Sequence, residues 1–272
     1  MSAIAQRFQK LKRYNEVALI GYVTAGDPDP VYTPKIAEAL IKGGVDILEL
    51  GLPFSDPIAD GPTIQAASVR ALNAGTKPKT VLQLAREIRS NYNVPLVVMT
   101  YYNPVFRMGL DNFFQLAKEC LVDGVIIPDL PLEEAADYKK AARDFGIDTI
   151  FLVAPSTSDA RIQKIVAATS GFLYVVSHFG VTGTKSTVEK STLRLIKRIS
   201  PFTAGRVPLA VGFGISQPEH VKRVVAAGAD AVVVGSAFVS IIEKQQQNFK
   251  EMLSEIEETA KILKDATQSK AL

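Results

Sequence analysis

Apolar and polar positions along the chain form short strand-like runs that alternate with longer amphipathic stretches. Eight runs are rich in Val, Ile, Leu and aromatic residues, as strands are. They begin at Val17, Val45, Val94, Gly124, Ile147, Phe172, Val207 and Asp230. Stretches with helical spacing lie between them, such as VYTPKIAEALIKGG and KTVLQLAREIRSNY. Because the runs are apolar on both faces, we expect strands that are covered on both sides in a parallel sheet.

Eight such units, with no break rich in Pro, Gly or Ser, predict a single (βα)8 TIM barrel that occupies residues 1–272 as one domain. The stretch MSAIAQRFQKLKRYNE predicts an extra amphipathic helix at the N-terminus. The stretch AFVSIIEKQQQNFKEMLSEIEETAKILKDA predicts one long closing helix. A doubly wound open sheet is the alternative, but TAGDPDP after the first strand does not supply the glycine-rich nucleotide fingerprint of that fold.

A short pattern repeats before three of the predicted strands. GGVDILELG, VDGVIIPDLP and AGADAVVVGS each place a Gly and an Asp just ahead of an apolar run. We interpret the repeat as an αβ turn, in which a glycine ends the helix and a polar turn leads into the strand.

Composition narrows the classes of function. The chain has 272 residues, of which 47% are hydrophobic, and a formal net charge of +3, so it is typical of a globular protein and gives no indication of nucleic-acid binding. Cys120 is the single cysteine, and His178 and His220 are the two histidines, so the sequence predicts neither an internal disulfide nor a typical zinc site. The N-terminal stretch lacks the apolar segment of a signal peptide, and no apolar run reaches the roughly 20 residues of a membrane span. We expect a cytoplasmic protein that binds neither membrane nor metal.

Two acidic residues lie on one predicted βα connection, LELGLPFSDPIADGPTIQ, at residues 48–65. Strand alternation places Glu49 on the same face as Val45 and Ile47, and we expect this face to point into the barrel. Asp60 follows Glu49 within the same connection. Active sites of such barrels lie at the carboxyl ends of the strands, so both acids fall at the functional end.

Purely structural roles are the alternatives for both acids. Glu49 could end its strand by capping a neighbouring backbone, and Asp60 could cap the helix that Pro62 is suited to begin. Their conjunction favours chemistry, because paired carboxylates in a partly dry pocket can divide acid and base duties. Like charge and desolvation then raise the pKa of the more buried acid.

Glycines at the ends of the last two strands form a second candidate site. AVGFGIS places Gly212 and Gly214 after the seventh strand, and VVVGSAF places Gly235 and Ser236 after the eighth. Backbone N–H groups at such glycines, and at a helix that begins at Ser236, can approach an oxyanion closely. Ordinary tight turns are the alternative, but two motifs at adjacent strand ends favour a phosphate site.

The stretch SHFGVTGTKSTVEK, residues 177–190, follows the sixth strand. It is long, polar and glycine-bearing, so it is either a mobile lid over the pocket or an uninvolved surface loop. His178 is a candidate base within it, although a lone histidine in a loop is more often incidental.

LELGLPFSDPIADGPTIQ closely resembles the signature of the tryptophan synthase alpha chain family. YYNPVF, GVIIPDLPLEE, GVTG, GFGIS and GSAFV agree with the family in order, so the resemblance runs from about Tyr14 to the final helix. It implies a lyase that cleaves indole-3-glycerol phosphate to indole and glyceraldehyde 3-phosphate by a retro-aldol reaction, with no cofactor or metal, in tryptophan biosynthesis. It also implies an α2β2 complex in which indole passes to a β chain that bears pyridoxal phosphate.

The resemblance further implies roles for individual residues. Glu49 and Asp60 match the family's catalytic acids. The positions that contact substrate comprise a set around the indole ring, a lid pair and a phosphate-end set. In this sequence they are Tyr22, Met99 and Tyr174; Thr182 and Gly183; and Gly212, Phe213, Gly214, Gly235 and Ser236. We expect the first set, together with Ile64, to enclose the indole ring from the ends of strands.

Two further segments bear on the partner chain. Pro53 and Asp56 match a segment that faces the β chain in the family. The lid departs from the family, which more often has Arg where His178 stands and a smaller residue than Phe179. These two differences leave lid closure and its coupling to the partner open.

Carbon–carbon cleavage requires proton transfers that the two acids could perform. Our hypothesis is that Glu49 protonates C3 of the indole ring and then takes the proton of the side-chain hydroxyl, while ionised Asp60 accepts from the ring N–H. Another phosphate-handling barrel, such as a sugar-phosphate isomerase or epimerase, would use the same glycines but commonly needs a metal or a Lys, Cys or His near the mouth. A non-catalytic partner subunit is a further alternative, against which the presence of both acids argues.

Overall fold

The structure is a computed structural model that describes residues 1–176, 185–212 and 214–268. Within these ranges the chain forms one sheet of nine parallel strands. The strands are β1 (Ala18–Thr24), β2 (Ile47–Gly51), β3 (Leu96–Met99), β4 (Gly124–Ile126), β5 (Asp148–Ile150), β6 (Leu152–Val153), β7 (Leu173–Val176), β8 (Leu209–Gly212) and β9 (Ala231–Val234). They lie in the eight apolar runs that the sequence predicts as strands.

The predicted barrel is confirmed, with a division in its fifth strand. The order of strands in the sheet is β5-β4-β3-β2-β1-β9-β8-β7-β6. The two ends of this order, β5 and β6, are halves of one predicted strand that is interrupted at Phe151. β5 pairs with β4 and β6 pairs with β7, while the carbonyl of Phe151 accepts from the N–H of Tyr174 at 3.0 Å. The barrel therefore closes at the interrupted fifth strand, whose first half pairs with β4 and whose second half pairs with β7.

Helices surround the sheet. Over the described ranges they are α1 (Ala3–Arg13), α2 (Thr33–Lys42), α3 (Pro62–Asn73), α4 (Pro78–Asn91), α5 (Tyr102–Met108), α6 (Leu110–Glu119), α7 (Ala136–Phe145), α8 (Asp159–Ala168), α9 (Lys185–Thr203), α10 (Pro218–Ala226), α11 (Ser236–Lys244) and α12 (Phe249–Thr267). Short 3-10 helices cover Pro30–Tyr32 and Leu132–Glu134. None of the helices in this part of the chain is both long enough and apolar enough to cross a membrane.

The prediction of one long closing helix is wrong, because the chain turns between α11 and α12. The side chain of Asn248 accepts from the N–H of Glu251 at 3.3 Å and so caps the start of α12. Asparagine is favoured at this position because its oxygen pairs with an N–H that the helix leaves free. The Gln-rich stretch before it supplies the turn.

The barrel interior and the layer between strands and helices are separate apolar clusters. Ile47 belongs to the interior, whereas Leu48 and Leu50 pack outward, as alternation predicts. Val45 packs in the outer layer with Leu40, so its predicted inward orientation is wrong. It precedes the first residue of β2, where the alternation of the strand has not yet begun.

The predicted N-terminal helix α1 is present and covers the amino end of the barrel. Its buried residues Ile4, Phe8 and Leu11 join the interior cluster. The Phe8 ring lies 6.1 Å from that of Phe172, which directly precedes β7. This end of the barrel is therefore closed by apolar packing, and access to the interior is left to the carboxyl ends of the strands.

The Asp that recurs before three strands accepts a hydrogen bond from a neighbouring strand. Each carboxylate accepts from a backbone N–H at the start of the preceding strand. The pairs are Asp46 with Leu19 at 2.9 Å, Asp123 with Leu96 at 2.8 Å, and Asp230 with Leu209 at 2.8 Å. Gly44 and Gly228 take the left-handed conformation expected before β2 and β9, with φ of 96° and 100°. Before β4, however, the left-handed residue is Leu121, and Gly124 lies in the strand itself.

Candidate active site

Glu49 points into the barrel from β2, where it pairs in register with Tyr22 of β1. Its side chain is fully buried, with 0% of its surface exposed. Neither carboxyl oxygen has a hydrogen-bond partner among the described residues. The alternative role of capping a neighbouring backbone is therefore excluded for those residues, and the carboxyl group is left free to meet a ligand.

Burial decides the protonation state of Glu49. Loss of hydration raises the pKa of its carboxyl group from an ordinary 4.5 to about 8, and the nearby charge of Asp60 adds to the increase. Glu49 therefore holds its proton at neutral pH. A carboxylic acid that is protonated at pH 7 can act as a general acid.

Asp60 lies in the connection between β2 and α3. The N-cap of α3 is Gly61, with no side-chain capping bond, so the helix-capping alternative for Asp60 is not observed. Burial raises the pKa of Asp60 to about 6, and a hydrogen bond with the hydroxyl of Tyr101 opposes that increase. At neutral pH Asp60 is thus mostly ionised while Glu49 is mostly protonated, and their environments divide the acid and base roles between them.

Tyr101 is a residue of this site that the sequence interpretation missed. It directly follows Thr100 at the carboxyl end of β3 and is almost completely buried. Its hydroxyl accepts from the N–H of Ala59 at 3.0 Å, next to Asp60, and its ring stacks on Phe54 with centroids 5.3 Å apart. It thus holds the loop that carries Asp60 at two points. The signals in the sequence were its position at the functional end of a strand and its place as the first residue of YYNPVF.

The two acids share a cavity of about 290 Å³ at the carboxyl end of the barrel. Most of the residues predicted to contact substrate meet there. They are Tyr22, Glu49, Asp60, Ile64, Met99, Tyr174, Gly214, Gly235 and Ser236. Gly61, Pro62, Thr63, Ile215 and Val233 complete the lining and were not predicted to do so. The volume lies near the lower end of the range for small-molecule sites.

The predicted wall of the cavity differs in two details. Ile64 lies in the first turn of α3, so the expectation that it comes from a strand end is wrong. Gly212 does not line the cavity, and a side chain there would overlap the hydroxyl of Tyr174. A side chain at Gly235 would likewise lie 3.0 Å from the ring of Tyr22. Both glycines therefore make room for tyrosines of the wall, and Gly235 also lines the cavity.

The two wall tyrosines are neutral groups. Burial raises the pKa of Tyr22 and of Tyr174 well above 10.0, and the charges of the two acids add to the increase. The hydroxyl of Tyr22 lies 3.2 Å from that of Thr24. Their rings consequently present apolar faces to the cavity.

The start of α11 forms another part of the cavity wall. The prediction that Ser236 begins a helix is confirmed, with Gly235 as its N-cap and no side-chain capping bond. The free N–H groups and the helix dipole favour an anion at this end. Gly214 lies beside it in the left-handed conformation, with φ of 71°. The arrangement offers a proton donor, a carboxylate and an anion site around one apolar chamber.

Comparison with known proteins decides the family. The family model described as "Tryptophan synthase alpha chain" matches residues 8–268. The chain belongs to the tryptophan synthase alpha chain family. It is 54% identical over 241 residues to the tryptophan synthase alpha chain of Methanosarcina acetivorans, covering 89% of this chain and 86% of that one. Among solved structures, it resembles a tryptophan synthase alpha chain from Legionella pneumophila, with a TM-score of 0.89, 34% identity and 100% and 99% coverage of the two chains. It also resembles a chain of the tryptophan synthase complex from Pyrococcus furiosus, with a TM-score of 0.83, 40% identity and 91% and 98% coverage.

Several positions that the resemblance to tryptophan synthase alpha chains singled out lie outside the described residues. These are His178, Phe179, Thr182, Gly183 and Phe213. The predicted lid and the part of the phosphate end formed by Phe213 therefore stay predictions. Within the described ranges, no group of three or more His, Cys, Asp or Glu side chains is placed to hold a metal ion.

The segment expected to face the β chain of a tryptophan synthase follows β2. Pro53 is buried within the chain itself, whereas Asp56 is exposed and accepts from the Ser55 hydroxyl at 2.5 Å. Ile58, two residues on, is an apolar side chain with 83% of its surface exposed. Contact of Pro53 and Asp56 with a partner stays a prediction.

Proposed function

We propose that this tryptophan synthase alpha chain cleaves indole-3-glycerol phosphate to indole and glyceraldehyde 3-phosphate in tryptophan biosynthesis, with Glu49 and Asp60 as its acid–base pair. The observation that supports these roles is that one cavity holds two buried carboxyl groups, with burial raising the pKa of Glu49 to about 8 and that of Asp60 to about 6. Few stable folds retain a buried carboxyl group without partners unless a ligand uses it.

The reaction begins with transfer of a proton from Glu49 to C3 of the indole ring. The ring nitrogen then bears positive charge. Ionised Asp60 stabilises that charge by accepting a hydrogen bond from the ring N–H. Glu49, now a carboxylate, takes the proton of the side-chain hydroxyl as the carbon–carbon bond breaks. The electrons of that bond return to the ring and the hydroxyl carbon becomes the aldehyde, so both acids end in their starting states. Each positioned proton transfer contributes about 10²–10⁴ to the rate.

Apolar residues and backbone amides hold the substrate. We assign Ile64, Met99 and the rings of Tyr22 and Tyr174 to the indole, and the start of α11 at Ser236 to the phosphate. All of these line the cavity. Binding of the remote phosphate fixes the reacting atoms against the two acids, and such orientation is a recognised source of rate. The steps use no cofactor and no metal.

The partner is a tryptophan synthase β chain, to which indole passes in an α2β2 complex. The resemblance to a chain of the tryptophan synthase complex from Pyrococcus furiosus supports this assembly. Exposed Asp56 and the neighbouring Pro53 are our candidates for the contact. Direct transfer suits indole because an uncharged aromatic molecule would otherwise be lost through membranes. We place the complex in the cytoplasm.

The assay is release of indole from indole-3-glycerol phosphate, titrated with β chain. Glu49→Gln and Asp60→Asn preserve shape while removing the acid or the charge, so we expect each to abolish most turnover while the chain stays folded. Wild-type turnover in either variant would remove that residue from the mechanism. If Asp60→Asn lost only stability, a structural role would account for Asp60. No indole release from wild-type chain, with or without β chain, would refute the reaction itself.

A further inference from the structure

A buried ion pair lies outside the cavity, between helix α3 and the loop after β1. Arg70 Nε donates to Asp27 Oδ1 at 2.7 Å, and Arg70 Nη2 donates to Asp27 Oδ2 at 2.9 Å. The Asp27 side chain is 0% exposed and that of Arg70 is 17% exposed. Arg70 Nη1 also donates to Glu243 Oε1 on α11 at 3.3 Å. Paired bonds of this kind fix orientation as well as distance.

The backbone around Asp27 is anchored to the rim of the barrel. The N–H of Asp27 donates to the carbonyl of Thr24, the last residue of β1, at 3.2 Å. The N–H of Ala25 donates to the carbonyl of Gly51, the last residue of β2, at 2.9 Å. The carboxylate that Arg70 binds is therefore fixed relative to two strands, and it fixes α3 to the same rim.

The ion pair lies two helical turns from the cavity on both helices. Arg70 comes seven residues after Thr63 in α3, and Glu243 comes seven residues after Ser236 in α11. This spacing puts the members of each pair on one face of their helix, about 10 Å apart along its axis. Thr63 and Ser236 line the cavity, and α3 packs against α11. The guanidinium thus joins two neighbouring helices whose first turns both line the cavity.

We propose that Arg70 is a positioning residue for the reaction, because its bonds to Asp27 and Glu243 fix the position of α3 along α11. That position sets the separation between the acid end of the cavity, where α3 begins, and its anion end, where α11 begins. The inference rests on the proposed function, in which one substrate spans both ends.

A substrate that spans both ends responds to their separation, whereas a ligand that fills one end does not. Loss of the bonds from Arg70 to Asp27 and Glu243 should therefore lower kcat/KM for intact indole-3-glycerol phosphate. Binding of glycerol 3-phosphate at the anion end, or of indole at the acid end, should be almost unchanged. A general loss of structure would weaken all three together.

The test compares Arg70→Lys, Glu243→Gln and wild type in the indole-release assay, with glycerol 3-phosphate and indole as inhibitors. Arg70→Lys loses the paired hydrogen bonds that the guanidinium makes with Asp27. It keeps a positive charge beside the buried carboxylate, so the chain can still fold. Glu243→Gln keeps the shape of the side chain that meets Arg70 and removes its charge. The matched control is Arg89→Lys, since Arg89 is 16% exposed and pairs with Asp123 at 3.4 Å at the opposite end of the barrel.

For Arg70→Lys we expect kcat/KM to fall by between about tenfold and a hundredfold, as small misplacements of reacting groups do. Glu243→Gln should show a smaller loss in the same direction. Both inhibition constants should stay within about twofold of wild type, as for sites that do not interact. Unchanged kcat/KM in Arg70→Lys, a matching loss in both inhibition constants, or an equal loss in Arg89→Lys would overturn the proposal. Absence of indole release from wild type would instead refute the proposed function.

Discussion

Replacement of Glu49 by Gln should make the folded chain more stable at alkaline pH while it abolishes turnover. The carboxyl group is fully buried, and its pKa in the folded chain is about 8 against an ordinary 4.5. Between these values the folded chain holds a proton that the unfolded chain has released. The free energy of unfolding of the wild type therefore falls as pH rises through this window, because the folded state binds more protons there. Glutamine does not titrate, so its variant lacks this fall.

The size of the effect follows from the width of the window. Over each pH unit in which the folded chain holds one proton more than the unfolded chain, the free energy of unfolding changes by about 1.4 kcal/mol. The stability of Glu49→Gln relative to wild type should therefore rise by about 5 kcal/mol between pH 4 and pH 9, most of it by pH 8. A buried amide without partners costs about 1–3 kcal/mol, but that cost is independent of pH and cancels in the comparison. Asp60 is present in both chains, and its own titration largely cancels as well.

Urea unfolding at a series of pH values measures this difference directly. The matched control is Glu258→Gln, an exposed glutamate on α12, which reports the pH dependence common to such a change on the surface. A stability difference for Glu49→Gln that stays flat from pH 4 to pH 9 would mean that Glu49 is ionised in the folded chain. In that case it could not supply the proton to C3, and the division of roles between the two acids would be refuted.

Three further results are expected from the same pair of acids and from the opposite end of the barrel. The profile of kcat/KM against pH should be bell-shaped, rising near pH 6 as Asp60 ionises and falling near pH 8 as Glu49 loses its proton; a profile that is flat across this range would contradict the assignment. Tyr101→Phe removes a hydrogen bond that lowers the pKa of Asp60, so the rise of its kcat/KM profile should move up by about one pH unit. The control Tyr138→Phe, in the core, should leave both the rise and the fall of the profile in place. Lys264→Met removes an ammonium 2.8 Å from a buried carboxylate at the amino end, and should lower the free energy of unfolding by about 1–3 kcal/mol without moving the rise or the fall of the profile, as unfolding and rate measurements would show.

Period-two alternation was sufficient to place Glu49. The pattern of apolar neighbours fixes which face of β2 points inward, and only the start of the strand was misjudged, at Val45. Alternation is a local property, so it is readable along the chain. The division of the fifth strand at Phe151 is not local, because it depends on which neighbour each half pairs with. Nothing in the run IDTIFLV records that choice.

Contacts between distant segments were beyond the reach of the pattern. Tyr101 bonds a residue 42 positions earlier, and Arg70 bonds a residue 43 positions earlier. Gly212 illustrates the same limit, since its position at a strand end favoured an anion site. Its missing side chain instead leaves space for the hydroxyl of Tyr174, from the adjacent strand β7. Residue type and spacing identified the end of the barrel that carries the site, but the partners of each residue follow from packing.

The two ends of the barrel treat acidic residues in opposite ways. At the amino end, Asp46, Asp123 and Asp230 each accept from a backbone N–H of the neighbouring strand, so their charges contribute to the pairing of strands. At the carboxyl end, Glu49 is buried with no bond among the described residues and lowers stability in its ionised form. A chain selected for stability alone would replace Glu49 by an apolar residue, because an interior position favours one by several kcal/mol. The proposed function explains its presence, since a substrate in the cavity would complete the bonding of the carboxyl group.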